Sequence, residues 1–372
     1  MRVAIDIRKI HDFGIGTYVR NVVRELARLD STSEYILIGR PEDRELAGQL
    51  GPNFRAVSNQ SGNYSVLEQF SIPLLLRRER ADVFHAPHYV LPPLVGCPSV
   101  VTIHDCIHLM FPQYLPNRLA TGYARAMMWN ATHRSAHVLT VSDASKRDIL
   151  RFFAIPPERI TVVHNAIDAQ VGRLPSDEEV ARARERFQLH APFVLYVGNI
   201  KPHKNVDRLI EAFALVRSGA LADVKLLIIG DEISKYPTLR RAVHRHKLHK
   251  HVRFLGFVDE RTLASLYRLA TVFAFPSLYE GFGLPPLEAM ASGTPVVTSN
   301  LSSLPEVVGD AAILVDPYDV TAIAHGIRRV LLDKELRDQM RTRGLERASA
   351  YSWERSVATI HRIYTEVAAR AR

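Results

Sequence analysis

Short apolar runs rich in β-branched residues alternate along this chain with longer stretches whose apolar positions recur at helical spacing. The first cycle opens at once. Residues 3–7 predict a strand, a polar loop carries Gly14 and Gly16, and residues 19–29 predict a helix with Val19, Val22, Val23, Leu26 and Leu29 on one face. Further strands are predicted at 35–39, 81–87, 98–105, 136–142 and 160–168. Helices are predicted at 68–80, broken by Pro73, at 118–136, and onward from Ser142, which suits an N-cap. A polar crossing at 169–190 separates this series from a second one. Its strands fall at 193–198, 224–230, 252–258, 270–276, 294–299 and 311–315, and its helices at 206–216, 236–251, 319–332, 334–350 and 353–369. Two such strand–helix series predict an α/β chain of two Rossmann-like, doubly wound domains.

Chemistry concentrates in residues 277–293. The strand at 270–276 runs into a turn with Gly281 and Gly283; Pro285 and Pro286 suit the first turn of a helix, and Gly293 suits its C-terminal cap. A strand, a glycine turn and a helix start offer backbone amides and a positive dipole end to an anion. Glu280 and Glu288 flank that turn. Carboxylates beside an anion site suit hydroxyl donors, so the pattern points to a ligand both phosphorylated and rich in hydroxyls, a sugar nucleotide. The loop at 199–205 enters another predicted helix, and its Lys201 and Lys204 are point charges placed for phosphate. His104 and Asp105 end a predicted strand, at the sheet edge where open α/β folds bind ligands. The Gly14–Gly16 loop is too long and lacks the third glycine of a dinucleotide fingerprint, which argues against a dehydrogenase.

Charge widens the list of partners before the motifs narrow it. The net charge of +9 fits nucleic acid, an anionic membrane surface or phosphorylated substrates. No nucleic-acid module accompanies it. The basic helix at 236–251, with Arg240, Arg241, Arg245, Lys247 and Lys250, lacks the broad apolar face of an inserting helix and reads as solvated. The cysteines Cys97 and Cys106 make neither a disulfide framework nor metal-ligand spacing, which favours the cytoplasm. The N-terminus lacks a secretory signal layout, no apolar run is long enough to span a bilayer, and no Asp-x-Asp motif stands at a strand end to hold a metal.

The stretch Glu280-Gly-Phe-Gly-Leu-Pro-Pro-Leu-Glu288, followed by residues 293–297 and 304–312, resembles the donor-site signature of family 4 retaining glycosyltransferases, also called glycosyl transferases group 1. The resemblance implies the GT-B fold: two Rossmann-like domains facing a central cleft. Residues 1–168 would be the acceptor domain, 169–352 the sugar-nucleotide domain, and 353–372 a helix returning to the first domain. It implies that Gly14 and Gly16 face the donor pyrophosphate, that Lys204 binds phosphate, and that Phe257 and Val258 lie near the base. Glu280, Gly281, Phe282, Gly283 and Leu284 would line the donor, Glu288 would hold the ribose, and His104 the sugar. Lys204, Glu280 and His104 are then the catalytic set. Asn199 stands where many members carry arginine, so that either Lys201 supplies the substitute charge or the site carries one charge fewer, and Ala166 stands where glycine is usual.

The implied activity is retaining, metal-independent transfer of a hexose, with GDP-mannose favoured over UDP-glucose, to a hydroxyl of a glycan or lipid-linked glycan in surface polysaccharide biosynthesis. The nucleoside-diphosphate sugar is a co-substrate and no cofactor is expected. The expected place is the cytoplasm, with docking at the inner face of an anionic membrane. A GT-B sugar-nucleotide epimerase and a non-catalytic sugar-nucleotide-binding scaffold are the alternatives.

Overall fold

The computed structural model describes residues 1–62, 65–168, 174–230 and 236–371. The chain divides into two compact units, Met1–Asn165 with Ser352–Arg372, and Ala166–Tyr351. The first part of the expected crossing, 169–173, lies outside the described residues.

The first unit holds β1 (Arg2–Asp6), β2 (Glu34–Gly39), β3 (Phe54–Ser58), β4 (Val83–Ala86), β5 (Ser99–Ile103), β6 (His137–Thr140) and β7 (Ile160–Val162). Among the described residues they form one sheet in the order β3-β2-β1-β4-β5-β6-β7, with every pair parallel. Its helices are α1 (Ile15–Leu29), α2 (Arg44–Leu50), α3 (Glu68–Glu79), α4 (Ile107–Met110), α5 (Arg118–Arg134) and α6 (Asp143–Phe152). Helices cover both faces, which is why the strands read as unbroken apolar runs. Ala4, Phe84, Ala86, Val101 and Ile103 form a core with Ile72 and Leu76 of α3, Met128 of α5 and Ile149 of α6. Val3, Ile5, Val83 and Val100, one position out of phase with those, are equally buried on the other face.

The second unit holds α7 (Asp177–Phe187), β8 (Phe193–Val197), α8 (Val206–Val216), β9 (Lys225–Ile229), α9 (Pro237–Arg245), β10 (Val252–Gly256), α10 (Glu260–Leu269), β11 (Val272–Phe275), α11 (Leu284–Ala291), β12 (Val296–Ser299), α12 (Leu304–Val308), β13 (Ile313–Val315), α13 (Val320–Leu332) and α14 (Lys334–Ser349). Its parallel sheet runs β10-β9-β8-β11-β12-β13. In each sheet the strand order reverses once, beside β1 and β4 in the first and beside β8 and β11 in the second. The carboxyl ends there are the natural ligand edge.

The last helix, α15 (Trp353–Arg370), belongs to the first unit and packs on α1. Polar contacts fix it. His361 Nε2 lies 2.9 Å from Asp30 Oδ2, and Ser356 Oγ donates to the His164 carbonyl at 2.7 Å. Asp30 also accepts from Thr32, Ser33 and Tyr35. Burial alone would raise its pKa, yet the hydrogen bonds from Ser33, Thr32 and Tyr35 hold it well below the usual carboxylate range.

The structure corrects several expected boundaries. The helix expected from residue 19 begins at Ile15, because Tyr18, fully buried, extends its apolar face by a turn. Pro73 does not break α3: it stands inside a continuous helix whose packing outweighs one lost backbone bond. The helix expected to reach 251 ends at Arg245, and Lys247 takes a left-handed conformation with φ of 54°. The strand expected over 160–168 pairs only through Ile160–Val162. Elements α2, β3, α4, α10 and α12 had no expectation. Among the described residues no helix is long and apolar enough to cross a membrane.

Candidate functional site

At the carboxyl ends of β8 and β11, three loops are stitched together. Asn205, in a left-handed conformation, donates through Nδ2 to the carbonyls of Pro276 at 2.9 Å and Pro317 at 2.7 Å. Leu278 N donates to the His203 carbonyl at 2.7 Å. Ser302 Oγ donates to the Glu280 carbonyl at 2.6 Å, and Ser303 Oγ to that of Phe282 at 2.6 Å. These contacts fix the two charged side chains at the centre. Lys204 Nζ lies 2.7 and 2.8 Å from the two oxygens of Glu280, with 14% and 11% of the side chains exposed, and 5.5 Å from the centre of the Phe275 ring. The pair is nearly closed to water, so neither member could lose its partner cheaply. A phosphate accepting from Lys204 and hydroxyls donating to Glu280 would satisfy both.

The turn beside this pair is the start of α11, capped by Gly283 at φ 118°. A Cβ on Gly283 would sit 2.8 Å from Leu304 Cδ2, in a backbone region other residues avoid. Pro285 and Pro286 remove two of the amides that a helix start normally presents, which leaves Gly283 and Leu284 to supply donors at the tip. Glu288 lies one turn further along and accepts from the Tyr267 hydroxyl at 3.0 Å. Burial pushes its carboxyl up to about 7; the Tyr267 hydrogen bond opposes this, and Asp168 and Glu260 add to it.

The remaining candidates of this unit are less uniform. Lys201 is exposed and Phe257 is 82% exposed, with Val258 half-buried. The Asn199 Oδ1 is buried with no hydrogen-bond partner among the described residues, so its amide end has capacity for a ligand group.

In the first unit, His104 follows β5. Its Nε2 donates to the Pro87 carbonyl at 3.0 Å, which leaves Nδ1 as the acceptor of a neutral ring. Burial lowers its pKa, and the Pro87 carbonyl and Asp105 oppose this without reversing it. Ser145 Oγ holds the His104 carbonyl at 3.0 Å, from an α6 start capped by Ser142, and Asp105 accepts from Ile107 N at 2.9 Å. Tyr18 lies edge-on at 5.0 Å from the His104 ring. Behind it runs a buried chain: Tyr18 OH to Thr102 Oγ1 at 3.0 Å, Thr102 to His85 Nε2 at 2.8 Å, and His85 Nδ1 to Tyr364 OH at 2.6 Å. Burial, with His104 nearby, brings His85 down to about 3, so this chain is neutral.

Gly16 has a use inside its own unit. A Cβ there would sit 2.3 Å from the Ile10 carbonyl oxygen, whereas nothing lies within 4 Å of one on Gly14. The close approach that demands glycine at 16 is therefore to the chain's own backbone.

Sequence reasoning brought together Lys204, Glu280, Gly283 and Glu288 but missed their supports. Asn205, Ser302 and Ser303 hold the loops, and Tyr267 meets Glu288 from α10. Two serines before a leucine carry no distinctive signal, and the Tyr267 contact joins residues 21 apart on different elements.

Residues 14–171 match Glycosyltransferase Family 4, and residues 177–347 match Glycosyl transferases group 1. The chain is 36% identical over 281 residues to the O-antigen chain mannosyltransferase B of Escherichia coli, covering 75% of this chain and 73% of that one. Its fold is similar to that of sucrose-phosphate synthase from Thermosynechococcus elongatus, with a TM-score of 0.82 at 22% identity over 100% of both chains. It is also similar to Anabaena HepE in complex with UDP and glucose, with a TM-score of 0.78 at 18% identity over 98% of this chain and 100% of that one. With two parallel-sheet Rossmann-like units and these relatives, the chain belongs to the family 4 glycosyltransferases and has the GT-B fold.

Proposed function

We propose that this protein is a retaining, metal-independent hexosyltransferase, with mannose as the transferred sugar and GDP-mannose as donor. Its acceptor is a hydroxyl of a glycan or lipid-linked glycan of a surface polysaccharide, at the cytoplasmic face of the membrane. The observation that carries this reading is the Lys204–Glu280 pair beside the Gly283 helix start: a cation for phosphate and a carboxylate for hydroxyls, held 2.7 Å apart. The name of the 36%-identical relative, an O-antigen chain mannosyltransferase, supports the sugar and the pathway class.

In this reading the bond between the anomeric carbon and the diphosphate oxygen breaks as the acceptor oxygen bonds that carbon on the same face. The acceptor proton passes to the departing diphosphate. Lys204 and the amides of Gly283 and Leu284 carry the charge that develops on the diphosphate, as preorganised donors do. Glu280 orients the sugar through its hydroxyls, and His104 offers Nδ1 to another. Glu288 accepts from the ribose, Phe257 and Val258 flank the base, and Gly281 and Phe282 shape the turn. Asn199 takes a polar ligand group and Lys201 adds a weaker, exposed charge.

The test is a thermal-shift panel of GDP, UDP, ADP, dTDP and their sugars, with and without magnesium. A guanine nucleotide at one hundred times its Kd should stabilise by about 2.7 kcal/mol, independently of magnesium. Transfer from GDP-mannose should then yield an α-linked product by NMR. A shift with uridine nucleotides alone, or a β-linked product, would overturn the donor or the stereochemistry separately.

A further inference from the structure

We propose that a cavity at the carboxyl ends of β1 and β4 holds one hydroxyl of the acceptor sugar against Asp6, and so selects an uncharged glycosyl end over a phosphorylated one. The proposal rests on the transferase reading above, but its evidence lies wholly within the first unit.

Strands β1 and β4 are neighbours in the sheet without being consecutive in the chain, so the segments leaving them diverge and open a crevice. Asp6 ends β1, with Arg8 and Lys9 just beyond it. Pro87 and His88 follow β4, and Glu68 starts α3. Together these residues line a cavity of about 20 Å³. That is room for about one water-sized group, which a hydroxyl is and a phosphate is not. The cavity adjoins His104 through Pro87, whose carbonyl accepts from His104 Nε2 at 3.0 Å.

Hydrogen-bonding capacity identifies the ligand group. Arg8 has five N–H donors and spends them all within the protein. Nε donates to Asp6 at 2.9 Å, Nη2 to Asp6 at 2.6 Å and to Glu68 at 3.1 Å, and Nη1 to the carbonyl and hydroxyl of Ser61 at 3.3 and 3.1 Å. The guanidinium therefore has no donor left for a phosphate, and it fills the space between two carboxylates where a metal ion would sit. Lys9 is paired with Asp12 at 3.1 Å. Asp6, Glu68 and Asp12 thus stand against Arg8 and Lys9, and an arriving anion meets surplus negative charge. Burial, with Lys9, His104 and His108 nearby, holds His88 well below the usual histidine value, so its ring adds no positive charge.

What the lining can do is accept. Asp6 is the most open member of the ion triad, 17% exposed against 6% for Arg8 and 2% for Glu68. A carboxylate has about four acceptor positions, and Arg8 fills three of those on Asp6 through its backbone N, Nε and Nη2. The position left suits a neutral donor, and a sugar hydroxyl is one.

The test measures binding to the full chain by saturation-transfer NMR, with no nucleotide present. Of the methyl α-glycosides of mannose, glucose and galactose, at least one should bind. The 6-phosphate of the tightest binder should bind about five-fold more weakly or worse. Among its monodeoxy analogues, one should lose about ten-fold or more in affinity, the cost of leaving a carboxylate without its hydrogen bond. Asp6→Asn should cut that penalty to roughly three-fold, because the amide accepts without charge. In steady-state transfer the same variant should raise the acceptor KM and leave the donor KM unchanged. Should Asp6→Asn fail to fold, as judged by its melting curve, the deoxy series on the wild type decides alone.

No binding by any neutral glycoside overturns the proposal, as does equal or tighter binding of the phosphate. Deoxy analogues that all match the parent overturn it too, since the cavity then holds an ordered water only. An unchanged deoxy penalty in folded Asp6→Asn removes Asp6 from the contact and overturns it as well. Binding is read without donor, so these outcomes stand apart from the nucleotide thermal shifts that test the transferase reading.

Discussion

At the carboxyl edge of the first sheet the groups around His104 form a neutral hydrogen-bonded chain, from Tyr18 through Thr102 and His85 to Tyr364, while the charge of Arg8 is closed off between Asp6 at 2.6 Å and Glu68 at 3.1 Å. At the same edge of the second sheet they are ionic, with Lys204 against Glu280 and Glu288 held near its titration point. Two copies of one architecture therefore carry different electrostatics. A neutral network fixes geometry and is indifferent to pH near neutrality, because a buried imidazole at about 3 has no proton to exchange there. An ion pair at a ligand edge can change partner when a phosphate arrives. The first arrangement suits holding a shape, the second suits meeting charge.

Breaking the ionic side should have the largest effect. Lys204→Ala is expected to lower kcat on the order of 10²–10³-fold, as loss of a transition-state donor does. Because it leaves Glu280 unpaired and nearly closed to water, the melting temperature should fall as well, measured beside steady-state transfer. A larger effect from the exposed Lys201→Ala would reverse the assignment. On the neutral side the expected damage is to stability instead. His85→Leu removes the partner of the Tyr364 hydroxyl and leaves Thr102 with Tyr18 alone, and should cost about 1–3 kcal/mol in urea unfolding, with nucleotide affinity unchanged. Gly16→Ala, driven against the Ile10 carbonyl, should cost about 1–3 kcal/mol by the same measurement.

The pH response sharpens the contrast. The Glu288 pKa of about 7 lies above the ordinary carboxylate value of 4.5, so the folded state holds this proton more tightly than the unfolded chain. Its stabilising contribution is complete below that ordinary value and is lost as pH rises through about 7. Hydroxyls donate to the carboxylate, so calorimetric nucleotide affinity should climb up to about ten-fold per unit toward pH 7 and then level off. Glu288→Gln should flatten that profile, and a profile still sloped in the variant would remove Glu288 from the ribose. The smallest effect belongs to Lys201→Ala, about three-fold or less in Kd, because an exposed cation is screened by water.

The strand–helix alternation was legible because burial on both faces leaves continuous apolar runs, and the 277–293 stretch because its glycines, prolines and carboxylates fall in a fixed order. Helix α10 was not, although Asp259 caps it by accepting from Thr262 N. Its start follows directly on a strand exit, and the two patterns merge. Pro73 misled in the opposite sense: the rule that proline breaks helices holds for exposed interiors, and here Ile72 and Leu76 are anchored in the core.

The sequence by itself determined the two parallel sheets, the glycine turn before α11 and the identity of the charged residues around it. These depend on local periodicity and on the few backbone conformations that glycine and proline allow or forbid. Tertiary structure alone decided that Lys204 meets Glu280 across 76 positions, that Glu288 is buried enough to titrate near 7, and that His85 is neutral on a chain reaching α15. Pairing, desolvation and exposure are properties of surroundings, and surroundings exist only once distant segments have packed.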